Sequence, residues 1–492
     1  MPLRSIADDV WRRFIDGLER LGVRRDYAVE VSGLQMMGNP GSPFFNKLYV
    51  ATTFDTFSLS CFKLPPAELP SLVKGAIQGR DVYGHFEIPR GAILESFVVF
   101  DEPHILAESG LRIAEVFVAI TYFLARMGVP TIYMSATLPH ELIRCLNRCA
   151  IHTRREFRVL TYGRNEFRDK GFENEQLSKK ITTRVVPVEE LGKCLSENVS
   201  SWDRVLVVVN TVERAIELWK ALREYGPMLL HGRLTVEDRN TVLNYLMKRY
   251  RWIVVATQVV EAGVNLSAQC LVTDIAPPTS LIQRAGRVAR FPQDSEGKVL
   301  IVERDPVVYP EKLCSRTLDI IKKVTKKAEQ VYWRIPYLKV GLGYQELLDR
   351  VGGSQLPGHN ARLRDLLSPA STPHMSIREL ASKGLPREHV ILPVIVADEL
   401  PTSRDEYEAL ARKYGLGVSI STVRRLVNRG DDVLLLRELE GGGLKVLDDK
   451  KLLKSIISTG AAAPLLMMVK RICCLIINRK TYRWLAYGED TS

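Results

Sequence analysis

Short apolar runs alternate with helix-patterned segments through the middle of the chain, and this rhythm limits the fold more than any other feature. Ser96 to Phe100 (SFVVF) reads as a buried strand that ends on Asp101 and Glu102. Leu111 to Met127 carries Ile113, Phe117, Ile120 and Leu124 at helical spacing, and Thr131 to Met134 is a strand running into Ser135-Ala136-Thr137. A second series begins near residue 200, with strands at 205–209, 228–230, 252–257, 270–275 and 298–303. Between them lie a helix stopped by Gly226 and one that Thr235 can cap. Strands alternating with helices imply parallel sheets covered on both faces. Two such series predict two α/β domains in tandem, separated by the polar stretch 163–182.

At 492 residues the chain exceeds what one core sustains, so two or three domains are expected. The rhythm is lost after about residue 305, where a lysine cluster (322–327) and a Gly/Pro/Ser-rich loop (352–373) follow. The expected division is 1–185, 186–305 and a smaller accessory domain, 306–492. A formal charge of +12 favours polyanionic partners, nucleic acid first, although a general basic bias gives the same number. The amino-terminal residues are charged and amphipathic, unlike a signal peptide. The longest apolar stretch, Ala461 to Val469, is too short to span a bilayer. Eight cysteines without a CxxC pair argue against a disulfide scaffold or a zinc site. Cys145 with Cys149, and Cys473 with Cys474, read as core packing. A cytoplasmic protein with no membrane partner is expected.

Ligands of parallel sheets bind beyond the carboxyl ends of the strands. Asp101-Glu102-Pro103-His104 stands at such an end. Asp101 can hold Mg2+ through its shell, Glu102 can position or activate a water, and His104 can couple this site to its neighbours. The same tetrapeptide also serves as an ordinary helix cap. Ser135 and Thr137, after the next strand, can relay the state of the metal site through hydrogen bonds. In Gln283-Arg284-Ala285-Gly286-Arg287-Val288-Ala289-Arg290, helical spacing places Gln283, Arg287 and Arg290 on one face. Two guanidiniums and an amide there match phosphate oxygens during phosphoryl transfer. Thr257, at the end of the strand 252–257, and the turn through Gly263 to Asn265 suit a phosphate–sugar backbone.

In order and spacing, DEPH, SAT, the strand end at 208–210, LHGR at 230–233, ATQVVEAGVN and QRAGRVAR resemble the motifs of superfamily 2 helicases. The resemblance implies two RecA-like domains with ATP between them and single-stranded nucleic acid across the top. ATQVVEAGVN, LVTDIAPPTSLIQRAGRVAR, TTFDT at 52–56 and FVVFDEPH before YMSATLP are similar, more closely, to the helicase of type I CRISPR interference. It covers roughly residues 1–305 and leaves the tail without support. It implies that Arg287 and Arg290 are arginine fingers and that Gly263 and Asn265 lie at the nucleotide. It further implies that Pro2, Arg4, Thr52, Thr53, Asn210, His231, Arg233 and Thr257 meet nucleic acid. Single-stranded DNA and a CRISPR surveillance complex are the implied partners.

Three features depart from that family. No GxxxxGK[ST] phosphate loop occurs, and Met1-Pro2-Leu3-Arg4-Ser5-Ile6-Ala7 resembles the motif that normally follows it. The first RecA-like domain is therefore expected to be amino-terminally incomplete, from a misassigned start codon or a truncated gene. Asn265 stands where the family usually has aspartate, so a weakened ribose contact is expected. None of the eight histidines is followed by aspartate, so the HD nuclease that many relatives carry is expected on a separate subunit. In the tail, 418–448 reads as a basic helix and hairpin, either structural or a winged-helix-like DNA contact.

Overall fold

The computed structural model describes residues 4–36, 39–80, 84–108, 110–160, 169–261, 264–327, 329–353, 356–358, 360–386 and 390–489. Its centre is a six-stranded, all-parallel sheet. From edge to edge the strands are Lys180–Pro187, Glu296–Glu303, Cys270–Asp274, Arg204–Val208, Trp252–Ala256 and Met228–Leu230. The inner strands are Val-, Ile- and Leu-rich because helices cover both faces. Trp252–Ala256 and Cys270–Asp274 are buried at every position. Val208 lies opposite both Ala256 and Thr273, so the strand ends that carry the motifs are level with one another. The edge strand Lys180–Pro187 begins before the expected boundary at 186 and belongs to this second sheet.

The strands of the first domain form two sheets among the described residues. Ser32–Met36 pairs in parallel with Tyr49–Thr52 and antiparallel with Asn39–Pro40. Val98–Asp101 pairs in parallel with Thr131–Met134. One face of that pair is closed by aromatic packing: Phe100 stacks on Tyr133 and meets Phe117 of the helix Leu111–Met127 edge-on. On the other face Val99, Ile132 and Met134 are 38, 46 and 46% exposed.

The tail is not one separate domain. The helix Glu311–Lys326 and the segment 331–351 pack on the second domain, where Val331, Trp333, Leu342 and Leu347 join its core. The helices Ala361–Leu367 and Pro373–Lys383 instead complete the core of the first domain through Leu363, Leu366, Ile377 and Leu380. Buried polar ties fix them there. Arg112 meets Glu379 at 2.5 Å, and Lys63 donates to the Ser371 carbonyl at 2.9 Å. Residues 391–487 form a five-stranded mixed sheet with its own helices. The basic helix Ile420–Arg429 and the hairpin Val433–Glu438/Leu444–Leu447 belong to it, the hairpin as its edge.

The helix Arg479–Tyr487 docks this last unit onto the second domain: Tyr482 binds Asp238 and the backbone N–H of Thr235. Among the described residues no single helix is long and apolar enough to cross a membrane. A bent pair, Lys450–Ser458 and Gly460–Val469, has the length and composition, but it buries Leu453, Ile456, Ile457 and Met467.

Candidate functional site

A cleft of ≈ 700 Å³ is lined by Asp101, Glu102 and Ala136 of the first domain and by Asn265, Gln283, Arg287 and Arg290 of the second. The two walls are tied beside it. Thr279, in the helix Pro278–Ala285, donates to Glu108 at 2.5 Å, and Glu108 ends the helix Pro103–Glu108.

The first wall follows from its strand ends. Asp101 closes its strand, and Glu102 then turns the chain with φ +52°, a region that non-glycine residues seldom occupy. The turn brings Glu102 to Ser135, whose hydroxyl donates at 2.5 Å. The same Ser135 oxygen lies 2.8 Å from His104 Nδ1 and accepts the Thr137 N–H at 3.0 Å. His104 is buried, 3.2 Å from the Glu102 carboxylate, with the Thr137 hydroxyl 3.4 Å from its Nε2. The residues expected to couple the two strand ends therefore form one connected network.

Burial alone would raise the Glu102 carboxyl. The hydrogen bond and charge of His104, the Ser135 hydroxyl and the Arg287 charge outweigh that and hold it below the usual range. Asp101 is raised, by burial first and then by the adjacent Glu102 charge. Two neighbouring carboxylates of which one resists ionisation suit a cation. Among the described residues no three Asp, Glu, His or Cys side chains converge as a metal cage. The donor set thus fits Mg2+ held by one or two carboxylates, with phosphate and water completing the shell.

The second wall corrects one geometric expectation. The helix carrying Gln283 ends at Ala285, so Arg287 and Arg290 are not on its face. Gly286 caps it, and a Cβ there would come within 3.0 Å of the Ile282 carbonyl. The chain then lies along residues 267–268: Ala268 N–H donates to the Arg287 carbonyl at 2.8 Å, and Arg290 N–H to Ser267 Oγ at 2.7 Å. Ala289, at φ +46°, makes the turn between the two arginines. Both still line the cleft with Gln283. Arg287 is 6% exposed and donates to the Glu261 carbonyl at 2.5 Å. Burial, then the Arg290 charge, push its pKa down to about 10, which leaves it a cation at neutral pH.

Sequence reasoning missed Arg284. Its side chain is fully buried and meets Glu261 at 2.7 Å, Thr273 Oγ1 at 2.9 Å and Asn210 Oδ1 at 3.1 Å. Because Glu261 also holds Arg287, this cation underpins the second wall. The signal was present: the face that carries Gln283 leaves Arg284 pointing the other way, into the core.

The residues expected at nucleic acid are scattered. Asn210 is buried, and its amide donates to the carbonyls of Ile275 and Pro306, so it is an internal tie rather than an open contact. His231 is likewise internal at 0% exposed: Nε2 faces the Ala486 carbonyl at 2.8 Å, and Nδ1 accepts the Arg233 N–H. Burial pushes its pKa down to about 4. Arg233 reaches Glu213 at 2.7 Å with its side chain 21% exposed. Thr53 and Thr257 are buried, while Thr52 is half-buried and donates to the Gln35 carbonyl at 2.7 Å. Pro2 and Gly263 lie outside the described residues, as does the side chain of Arg4, which opens the helix Arg4–Arg20.

Two RecA-like α/β domains around a cleft, with a DExH strand end on one side and paired arginines on the other, share their fold with solved helicases of superfamily 2. The family described as "CRISPR-associated nuclease/helicase Cas3, C-terminal" matches residues 202–293. Among curated proteins, the CRISPR-associated helicase Cas3 of Thermoproteus tenax is 26% identical over 249 residues, covering 49% of this chain and 39% of that protein. The CRISPR-associated nuclease/helicase Cas3 of Methanothermobacter thermautotrophicus is 32% identical over 148 residues, covering 27% of this chain and 18% of that one. The solved T. fusca Cas3 superposes with a TM-score of 0.56 at 15% identity, covering 85% of this chain and 57% of that one. Over part of its length the chain is similar to CRISPR-associated helicases. It spans well under half the length of the curated relatives it matches.

Proposed function

We propose that the chain works as an ATP-dependent translocase on single-stranded DNA in a type I CRISPR defence system. The observation that carries this is the cleft itself, where Asp101 and Glu102 face Gln283, Arg287 and Arg290. In this reading Asp101 and Glu102 hold Mg2+, which would neutralise phosphate charge when bound. Glu102, kept ionised by His104, Ser135 and Arg287, orients and deprotonates the attacking water. Arg287 and Arg290 stabilise charge on the transferred phosphoryl group. Ser135 and Thr137 link the carboxylate end to the strand that leads out of the cleft, so a change at the nucleotide moves a backbone segment. A solved CRISPR RNA-guided surveillance complex contains a chain of similar fold, with a TM-score of 0.50 at 17% identity. It supports a surveillance complex as partner. A separate HD nuclease subunit would then cut the DNA.

A second reading is a nucleic-acid-binding protein without turnover. ATPase assays with single-stranded DNA, single-stranded RNA or neither separate the possibilities. The first reading expects hydrolysis stimulated most by DNA. Equal or greater stimulation by RNA points to another superfamily 2 activity. DNA binding without hydrolysis supports the second reading.

A further inference from the structure

The cleft has an aromatic and cationic end that no motif predicts. Trp333, Arg334 and Tyr344, from the segment after the second sheet, line the same cleft as Asp101 and Arg287, together with Phe172 of the helix Lys170–Ser178. This segment is firmly seated. Trp333 is 2% exposed and its indole N–H donates to Thr183 Oγ1 at 3.0 Å. Gly343 packs so closely that a Cβ would fall 2.3 Å from the Pro336 carbonyl. Arg334 therefore enters the cleft from a rigid base. Its guanidinium lies 5.2 Å from the centre of the Phe172 ring and donates to the Arg290 carbonyl at 3.0 Å. Among the described residues it forms no ion pair, and burial followed by the Arg290 charge lowers its pKa.

We propose that Arg334 and Phe172 are the platform on which the nucleobase of the bound nucleotide stacks, so that residues outside the helicase motifs recognise the base. The inference rests on reading the cleft as a nucleotide site. A guanidinium over a phenyl ring brings a cation and an aromatic face together, and such groups hold bases by stacking. Asp101, Glu102, Arg287 and Arg290 line the same cleft as Phe172 and Arg334, so phosphate-binding and base-stacking groups are available in one site. The bond to the Arg290 carbonyl joins the two sets, so base and phosphate recognition share one framework.

Calorimetric titrations of the full chain with Mg·ATP and with Mg·tripolyphosphate, which has no base, test this. The wild type should bind ATP more tightly than tripolyphosphate. Arg334→Ala, Arg334→Lys and Phe172→Leu should each weaken ATP by about tenfold and leave tripolyphosphate within about twofold, melting curves showing each variant folded. ATP affinity unchanged in all three overturns the proposal. So does a parallel loss of both ligands, which would mean that Arg334 only holds Arg290 in place. Wild-type binding of neither ligand overturns the nucleotide reading itself, and this inference with it.

Discussion

Arg284→Met removes the buried cation beneath the cleft while filling much of its volume, so the cost is electrostatic rather than that of a cavity. In the wild type the guanidinium donates to Glu261, Asn210 and Thr273, and also reaches the Tyr309 hydroxyl at 3.3 Å. Without it, Glu261 is left with its carboxylate only 15% exposed and, among the described residues, with the Ser280 hydroxyl at 3.2 Å as a side-chain donor. Stranding one member of a buried pair costs about 3–5 kcal/mol. In a domain of this size each kcal/mol moves the melting midpoint by about 2–4 °C, so the second domain should melt about 6–20 °C lower. Tryptophan fluorescence reports it, since Trp252 and Trp333 both sit in that core. Adding Glu261→Gln to Arg284→Met should recover part of the loss, because an amide leaves no stranded charge. A midpoint for Arg284→Met within about 2 °C of the wild type would refute the assignment of Arg284 as the structural centre of this wall.

The other tests address coupling, pH and domain organisation. Ser135→Ala removes the hydroxyl shared by Glu102 and His104, and should lower ATP turnover by about tenfold with little change in Mg·ATP affinity. Steady-state kinetics beside direct binding decide it; an unchanged kcat removes Ser135 from the mechanism. His231 is neutral in the fold, with a pKa of about 4, and takes up a proton near pH 6.5 once unfolded. The unfolded state therefore binds the extra proton between these values, so stability falls with falling pH. From pH 7 to 5 the loss should be about 2 kcal/mol, and His231→Gln should flatten it in paired denaturant titrations. Leu366→Ala, in the tail helix that completes the first core, should destabilise the first domain by about 2–5 kcal/mol and leave the second unchanged. Local hydrogen exchange can show this, and loss of protection in the second domain instead would return that helix to the accessory unit.

The second domain was legible because its inner strands are buried on both faces and read as unbroken apolar runs, as in VLVVV. The segments at 208–210, 230–233 and 257 lie at strand ends, whereas QRAGRVAR begins on the helix Pro278–Ala285. The strand Lys180–Pro187 escaped because it is an edge strand with alternating exposure, and KITTRVVP looks like a polar linker. Helical spacing placed Gln283, Arg287 and Arg290 on one helix face, but Gly286 and pairing with Ala268 end the helix early, and the three line one cleft from a helix and the loop after it. The tail was opaque for a different reason. Leu363, Leu366 and Leu367 announce an amphipathic helix, but nothing local says which core it covers. The answer lies in contacts such as Arg112 with Glu379, 267 residues apart. Asn210 and His231 show the same limit, since their polar atoms are used by carbonyls far along the chain.

Hydrogen exchange of the full chain, with and without Mg·ATP, bears most directly on whether the cleft is a nucleotide site. A nucleotide held between the domains should slow exchange in both walls at once, at 98–104 and 133–137 on one side and at 283–290 on the other. Protection on only one wall, protection elsewhere, or none at saturating Mg·ATP would contradict it.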